Sequence, residues 1–200
     1  MKVQEVRSAQ HRRASKINGS KVKILPRTQF GNPILRAKAK RVSSAFLKSS
    51  KGRTLVTDMF YTMKRAHGVG LAAPQVGKSL QLAVIQVSPT KFRPNIQTLP
   101  KTVIINPRIT WHSVSRVDDW EGCLSCMNIR GCVPRYSEIR VVYTDKEGKQ
   151  VSKKLSGFLA RVFQHEIDHL NGIVYVDRMR DTKTLMMLSE FEKRVLKLSS

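Results

Sequence analysis

Apolar residues recur at helical spacing over residues 156–171, where Leu159, Val162, Phe163, Ile167 and Leu170 form one stripe. Ser156 stands where a side chain would cap the start of that helix, and Gly172 follows as a stop. A second amphipathic helix is predicted over residues 53–67, with Leu55, Met59, Phe60 and Met63 apolar and Gly68 ending it. Residues 81–87, 102–105 and 139–143 are apolar runs of strand length, the last closed by a turn at 145–148. Residues 88–100 contain three prolines and predict a loop. A short apolar stretch covers 22–26, a turn follows at 31–33, and a further amphipathic helix is expected within 182–198. Strands around two or three helices, with no repeat and no linker inside 30–180, predict an α+β domain. The expected organisation is a basic, flexible arm over 1–22, one domain over 23–182 and a C-terminal amphipathic helix over 183–200.

Composition narrows the class. Two hundred residues suit one domain, and a 40% hydrophobic share supplies a core. The longest apolar runs, such as 82–85 and 173–176, fall far short of the roughly 20 residues that a spanning helix needs, so no membrane is expected. The first ten residues lack the apolar block of a secretory signal. The net charge is +23, and residues 1–53 hold 15 Lys and Arg against the single acid Glu5. Such a block is either a solvated arm or an attractor of a polyanion such as RNA, and its Ser- and Arg-containing start also admits an organelle transit peptide.

Candidate chemistry centres on His165-Glu166-Ile167-Asp168-His169. Positions four apart on a helix differ by about 40°, so both imidazoles project from one face and can share a metal, with Glu166 between them. A catalytic metal needs a third protein ligand and an open position. The cysteines Cys123, Cys126 and Cys132, crowded into one stretch, suit metal binding in a reducing compartment better than a disulfide framework. Cys123 alone would leave an open site. Cys123 and Cys126 together with both histidines would close it as structural zinc, although the second Cys-x-x-Cys pair of a zinc ribbon is missing.

Three blocks now stand in order: Gly68-Val69-Gly70-Leu71-Ala72-Ala73-Pro74-Gln75, Glu121-Gly122-Cys123-Leu124-Ser125 and Gln164-His165-Glu166-Ile167-Asp168-His169-Leu170. Together they resemble the signature motifs of peptide deformylases, over about residues 25–179. The resemblance implies an α+β fold in which antiparallel sheets surround a central metal-binding helix. It implies removal of the formyl group from N-formylmethionyl nascent peptides. Cys123, His165 and His169 would ligate one divalent ion, Fe2+ natively and replaceable by Zn2+, Ni2+ or Co2+. A bound cation lowers the pKa of its water from about 15.7 towards about 7, and Glu166 would take that proton and return it to the leaving nitrogen.

By the same resemblance, the Gln75 amide and the Leu124 backbone N–H would stabilise the oxyanion, Val69 and Gly70 would bind the peptide as an added strand, and Arg130 would contact a substrate carbonyl. Asp168, facing away from the metal, would pair with Arg135 and fix the helix. Asn32, Cys126-Met127, and Arg161-Val162 at the expected wall of the substrate pocket depart from the common pattern. The alternatives are a zinc peptidase built on the same helix and a structural-zinc RNA-binding protein. A monomer in the bacterial cytoplasm is expected, with a mitochondrion or plastid as the alternative, and with ribosome or rRNA contact through the basic surface.

Overall fold

The computed structural model describes residues 15–17, 20–91 and 93–197. Most of the expected basic arm lies outside them. Its described part, β1 (Ser15–Ile17) and β2 (Ser20–Val22), pairs as an antiparallel hairpin instead of a featureless tail. Two helices follow, α1 (Ser44–Lys48) and α2 (Ser50–Arg65), the second capped by the Ser49 hydroxyl accepting from the Gly52 N–H at 3.0 Å. Next come β3 (Gly70–Ala72), β4 (Leu82–Val87) and β5 (Leu99–His112). Then come β6 (Arg116–Cys123), β7 (Cys126–Tyr136), β8 (Glu138–Thr144) and β9 (Gln150–Ser156). The long helix α3 (Gly157–Leu170), the short strand β10 (Met186–Met187) and α4 (Leu188–Arg194) complete the chain.

A five-stranded antiparallel sheet has the order β3-β4-β5-β8-β9, and a three-stranded one the order β10-β7-β6. Alternate residues of β4 face opposite ways. Ala83, Ile85 and Val87 pack with Leu159, Phe163 and Ile167 of α3, whereas Leu82 and Val84 pack with Met59 and Met63 of α2. The two helices therefore cover opposite faces of one sheet. A third cluster, with Leu35, Val133 and Tyr175, joins the smaller sheet to the segments around it.

Several expectations change in extent. The C-terminal helix is confined to Leu188–Arg194, because residues 182–184 form a single 3-10 turn and Met186–Met187 pairs with β7. The strand expected at 102–105 runs to His112, with one register shift between Ile105 and Arg108, across Pro107, which cannot donate to the ladder, and another between Ile109 and Trp111. Ser156 does sit at the N-cap of α3, but its side chain makes no capping bond. Gly172 stops the helix with φ +76°, and a β-carbon there would come within 2.4 Å of the Arg36 carbonyl oxygen, so the stop also lets residues 36–39 pass. Ala39 N–H then caps the Leu170 carbonyl at 2.9 Å. Among the described residues no helix is long and apolar enough to cross a membrane.

Candidate metal centre

Helix α3 is buried along almost its whole circumference, including the polar Arg161, Gln164, Glu166, Asp168 and His169. Buried polar groups cost free energy unless partnered, so each needs a reason to be there. Gln164 exchanges two hydrogen bonds with the backbone of Tyr136 (3.0 and 3.1 Å), which ties the helix to β7. Asp168 accepts from Arg135 and, on its outer side, from Arg178 at 2.8 Å.

The remaining polar residues converge on the hairpin of β6 and β7. One atom each from Cys123, His165 and His169 lies within 4.8 Å of the others. Cys123 Sγ is 3.2 Å from His169 Nε2. His165 uses Nδ1 to contact Glu121 Oε2 at 2.8 Å, which leaves Nε2 to face the cluster. Cys126 is buried beside Cys123 but is not a member of this three-residue group, so the arrangement is that of an open site. Gln75 is held by its Oε1, which accepts from Ala72 N–H at 2.8 Å, and its amide nitrogen donates to Cys123 Sγ at 3.3 Å.

Glu166 lies against β3. A β-carbon on Gly70 would fall 2.2 Å from Glu166 Oε1, so only glycine allows the carboxylate and this strand to meet. Strand β3 is an edge of its sheet. The Val69 carbonyl already accepts from Gln86 N–H at 2.9 Å. In an antiparallel pair the bonded positions alternate, so the N–H and C=O of Gly70 point to the open side. Leu124 occupies the turn between β6 and β7, next to Gly68. The Arg130 guanidinium stays local, donating to its neighbour's carbonyl at Ile129 (2.9 Å).

Arg161 does not stand as an accessible side chain at the expected pocket wall. Val162 is in the core with β4 and β8, and Arg161 turns inward to donate to Glu121 Oε1 and the Val133 carbonyl, both at 2.8 Å. Arg135 grips the same carboxylate with two bonds, of 2.9 and 3.0 Å. Glu121 is thus the hub of the site, and the motif reading gave it no role. Arg161 precedes His165 by one helical turn, a spacing that lets both reach the same neighbour.

Charge follows this geometry. Burial would raise the Glu121 carboxyl, but hydrogen bonds from His165 and Arg135 outweigh it and hold the group well below the usual carboxylate range. Burial opposes protonation of His165, yet its bond to Glu121 wins and raises it. Burial drives His169 well below the ordinary value, leaving a neutral imidazole, and pushes Glu166 up to about 7. Contact with the Cys126 thiol, and then burial, raise Cys123.

Glu166 Oε2 and His169 Nδ1 are buried with no hydrogen-bond partner. A thiol, two imidazoles and an unpartnered carboxylate fit a thiophilic divalent cation with a water beside it, since a cation would draw the proton off Cys123 and favour ionised Glu166.

The family described as polypeptide deformylase matches residues 24–185. Peptide deformylase 2 of Nostoc sp. is 40% identical over 174 residues, spanning 87% of this chain and 96% of that protein. Peptide deformylase 1 of Nitrosomonas europaea is 41% identical over 160 residues, 80% of this chain and 90% of its own. Among solved structures, a class I type b peptide deformylase of Acinetobacter baumannii bound to Met-Ala-Ser is similar at TM-score 0.75 and 37% identity. It covers 78% of this chain and 98% of its own. A peptide deformylase of Synechococcus elongatus in complex with actinonin is similar at TM-score 0.71 and 37% identity, covering 86% of both chains.

Proposed function

The chain belongs to the peptide deformylase family, whose enzymes remove the formyl group from N-terminal formyl-methionine, and on that premise we propose which residues carry the reaction here. Cys123, His165 and His169 hold one divalent ion, Fe2+ natively. When bound, that ion supplies Lewis-acid activation of water and of the formyl oxygen. Glu121 orients His165 through Nδ1 and is itself clamped by Arg135 and Arg161, so the ligand ring is aimed before any ion binds.

Glu166 takes a proton from the attacking water and delivers it to the amine that leaves. The observation that carries this reading is its carboxylate, buried, unpartnered at Oε2 and seated against the edge strand at Gly70. Burial raises this carboxyl above its ordinary value, so it accepts a proton more readily than a solvated glutamate. Substrate extends β3, meeting the outward N–H and C=O of Gly70, with Val69 beside it shaping the approach. The Gln75 amide, fixed by Ala72 N–H, donates to the developing oxyanion together with the Leu124 backbone N–H. Arg130 swings from its local bond to a substrate carbonyl. Asp168 and Arg135 fix the helix, as their ion pair supports.

Neither the zinc-peptidase nor the structural-zinc RNA-binding alternative finds support in the likenesses found. The test is Glu166→Gln, assayed on formyl-Met-Ala-Ser with metal content measured in parallel. Metal is expected to stay stoichiometric while deformylation collapses; an active variant would remove Glu166 as the proton carrier.

A further inference from the structure

On the face of the five-stranded sheet opposite the metal centre, α2 and β5 enclose a half-open groove of about 1000 Å3. Helix α2 lends it a continuous face from Arg53 through Val56 and Phe60 to Lys64, at three- and four-residue spacing. At 1.5 Å per residue that face is about 16 Å long. Strand β5 supplies the alternate positions Lys101, Val103 and Ile105. The accessible apolar floor comes from Val56 and Phe60, which are half-buried, with Val103 and Ile105 sealed in the core beneath them.

Cations stand at both ends of this floor. Lys101 Nζ lies 5.8 Å from the centre of the Phe60 ring, and Lys64 follows Phe60 by one helical turn. Arg53 precedes Phe60 by two turns. Lys146 follows Thr144, the partner of Ile105 in β8, and so sits at the other end of the strand. Of these four cations only Lys146 has an acidic partner among the described residues, Glu147 at 3.3 Å.

We propose that this groove docks an acidic segment of a partner protein, with one or two apolar side chains on the floor and carboxylates at each end. A single-headed anionic amphiphile would leave one pair of cations unanswered. Nucleic-acid bases would find little to stack on, since Val56 is aliphatic and the Phe60 ring is already faced by Lys101. Six extended residues, five steps of about 3.3 Å each, reach about 16 Å, the length of the α2 face from Arg53 to Lys64.

The experiment measures fluorescence polarisation of a labelled Asp-Asp-Leu-Phe-Glu-Glu peptide with the full chain. Saturable binding that weakens with salt is expected. Lys64→Glu with Lys101→Glu should weaken it at least about tenfold, while deformylation of formyl-Met-Ala-Ser is unchanged. Arg53→Glu with Lys146→Glu is the second pair, used if the first folds poorly. Reversal of two distant exposed lysines, Lys78→Glu with Lys183→Glu, should leave affinity as it was, which separates the groove from general attraction to a cationic protein. Equal affinity for the groove and control variants would overturn the proposal. So would displacement of the peptide by dodecanoate or an oligouridylate at lower concentration than by unlabelled peptide.

Discussion

Helices α2 and α3 lie on opposite faces of the same sheet, and both bury polar side chains, but they treat them differently. On α2 the buried Asp58 and Thr62 are satisfied by their surroundings, accepting from Lys23 N–H and Leu25 N–H at 2.9 Å each. Those bonds secure the incoming chain at residues 22–26, the short apolar stretch that runs beside the helix. On α3, Gln164 and Asp168 are equally well partnered, yet Glu166 Oε2 and His169 Nδ1 have no partner. A fold tolerates unpaired buried groups only where something other than stability retains them. The comparison therefore separates polar residues that hold the chain from those proposed to act.

The largest break in that comparison should come at the acting residues. Glu166→Gln is expected to lower kcat on formyl-Met-Ala-Ser by about 10²–10⁴-fold with metal retained, read by steady-state kinetics and elemental analysis. Cys123→Ala should instead lose the metal, whereas Cys126→Ala keeps most of it; loss in both variants would restore the closed structural-zinc site.

Next in size is the hub. Glu121→Ala leaves Arg135 only Asp168 and leaves Arg161 its bonds to backbone carbonyls in the interior, and breaking a buried pair in this way costs about 3–5 kcal/mol, measurable by urea unfolding. Metal affinity should fall about 10–100-fold as His165 loses its orienting contact.

A pH experiment on chelator-treated protein sharpens the contrast further. Folded Glu166 keeps its proton up to about pH 7, while the unfolded chain releases it near 4.5. The folded state thus binds more protons in that window, so this group's contribution is full below pH 4.5 and is lost as pH rises through 7. Relative to Glu166→Gln, the wild-type apoprotein should lose about 3 kcal/mol between pH 4.5 and 8. A constant difference between the two would mean that the carboxyl is solvated.

The smallest effect belongs to α2. Asp58→Ala leaves the Lys23 N–H without its acceptor and should cost about 1–3 kcal/mol. Deformylation per folded molecule should be unaffected, because the far face of the sheet stands between this residue and the metal centre.

Motif and periodicity made α2, β4, β8 and α3 legible, since each alternates or repeats in a way that its burial follows. Strands β6, β7 and β9 were not, although the metal hairpin is built from the first two. Arg116–Cys123 carries three acids, β7 contains Gly131 and Pro134, and Gln150–Ser156 is mostly exposed, so none presents a clean apolar face. Their pairing comes from neighbours distant in the chain. The same holds for Arg161, which the family resemblance puts at a pocket wall until β6 and β7 are seen to enclose it.

What the sequence alone determined was that His165 and His169 share a face, because four-residue spacing on a helix dictates it. The three motifs it carries also settled the family. What only the tertiary structure decided was which charges are buried, which partner each one finds, and where an apolar floor is left open between cations. Helical geometry is local and can be read from spacing. Burial and electrostatic pairing depend on segments brought together by the fold, and no spacing along the chain encodes them.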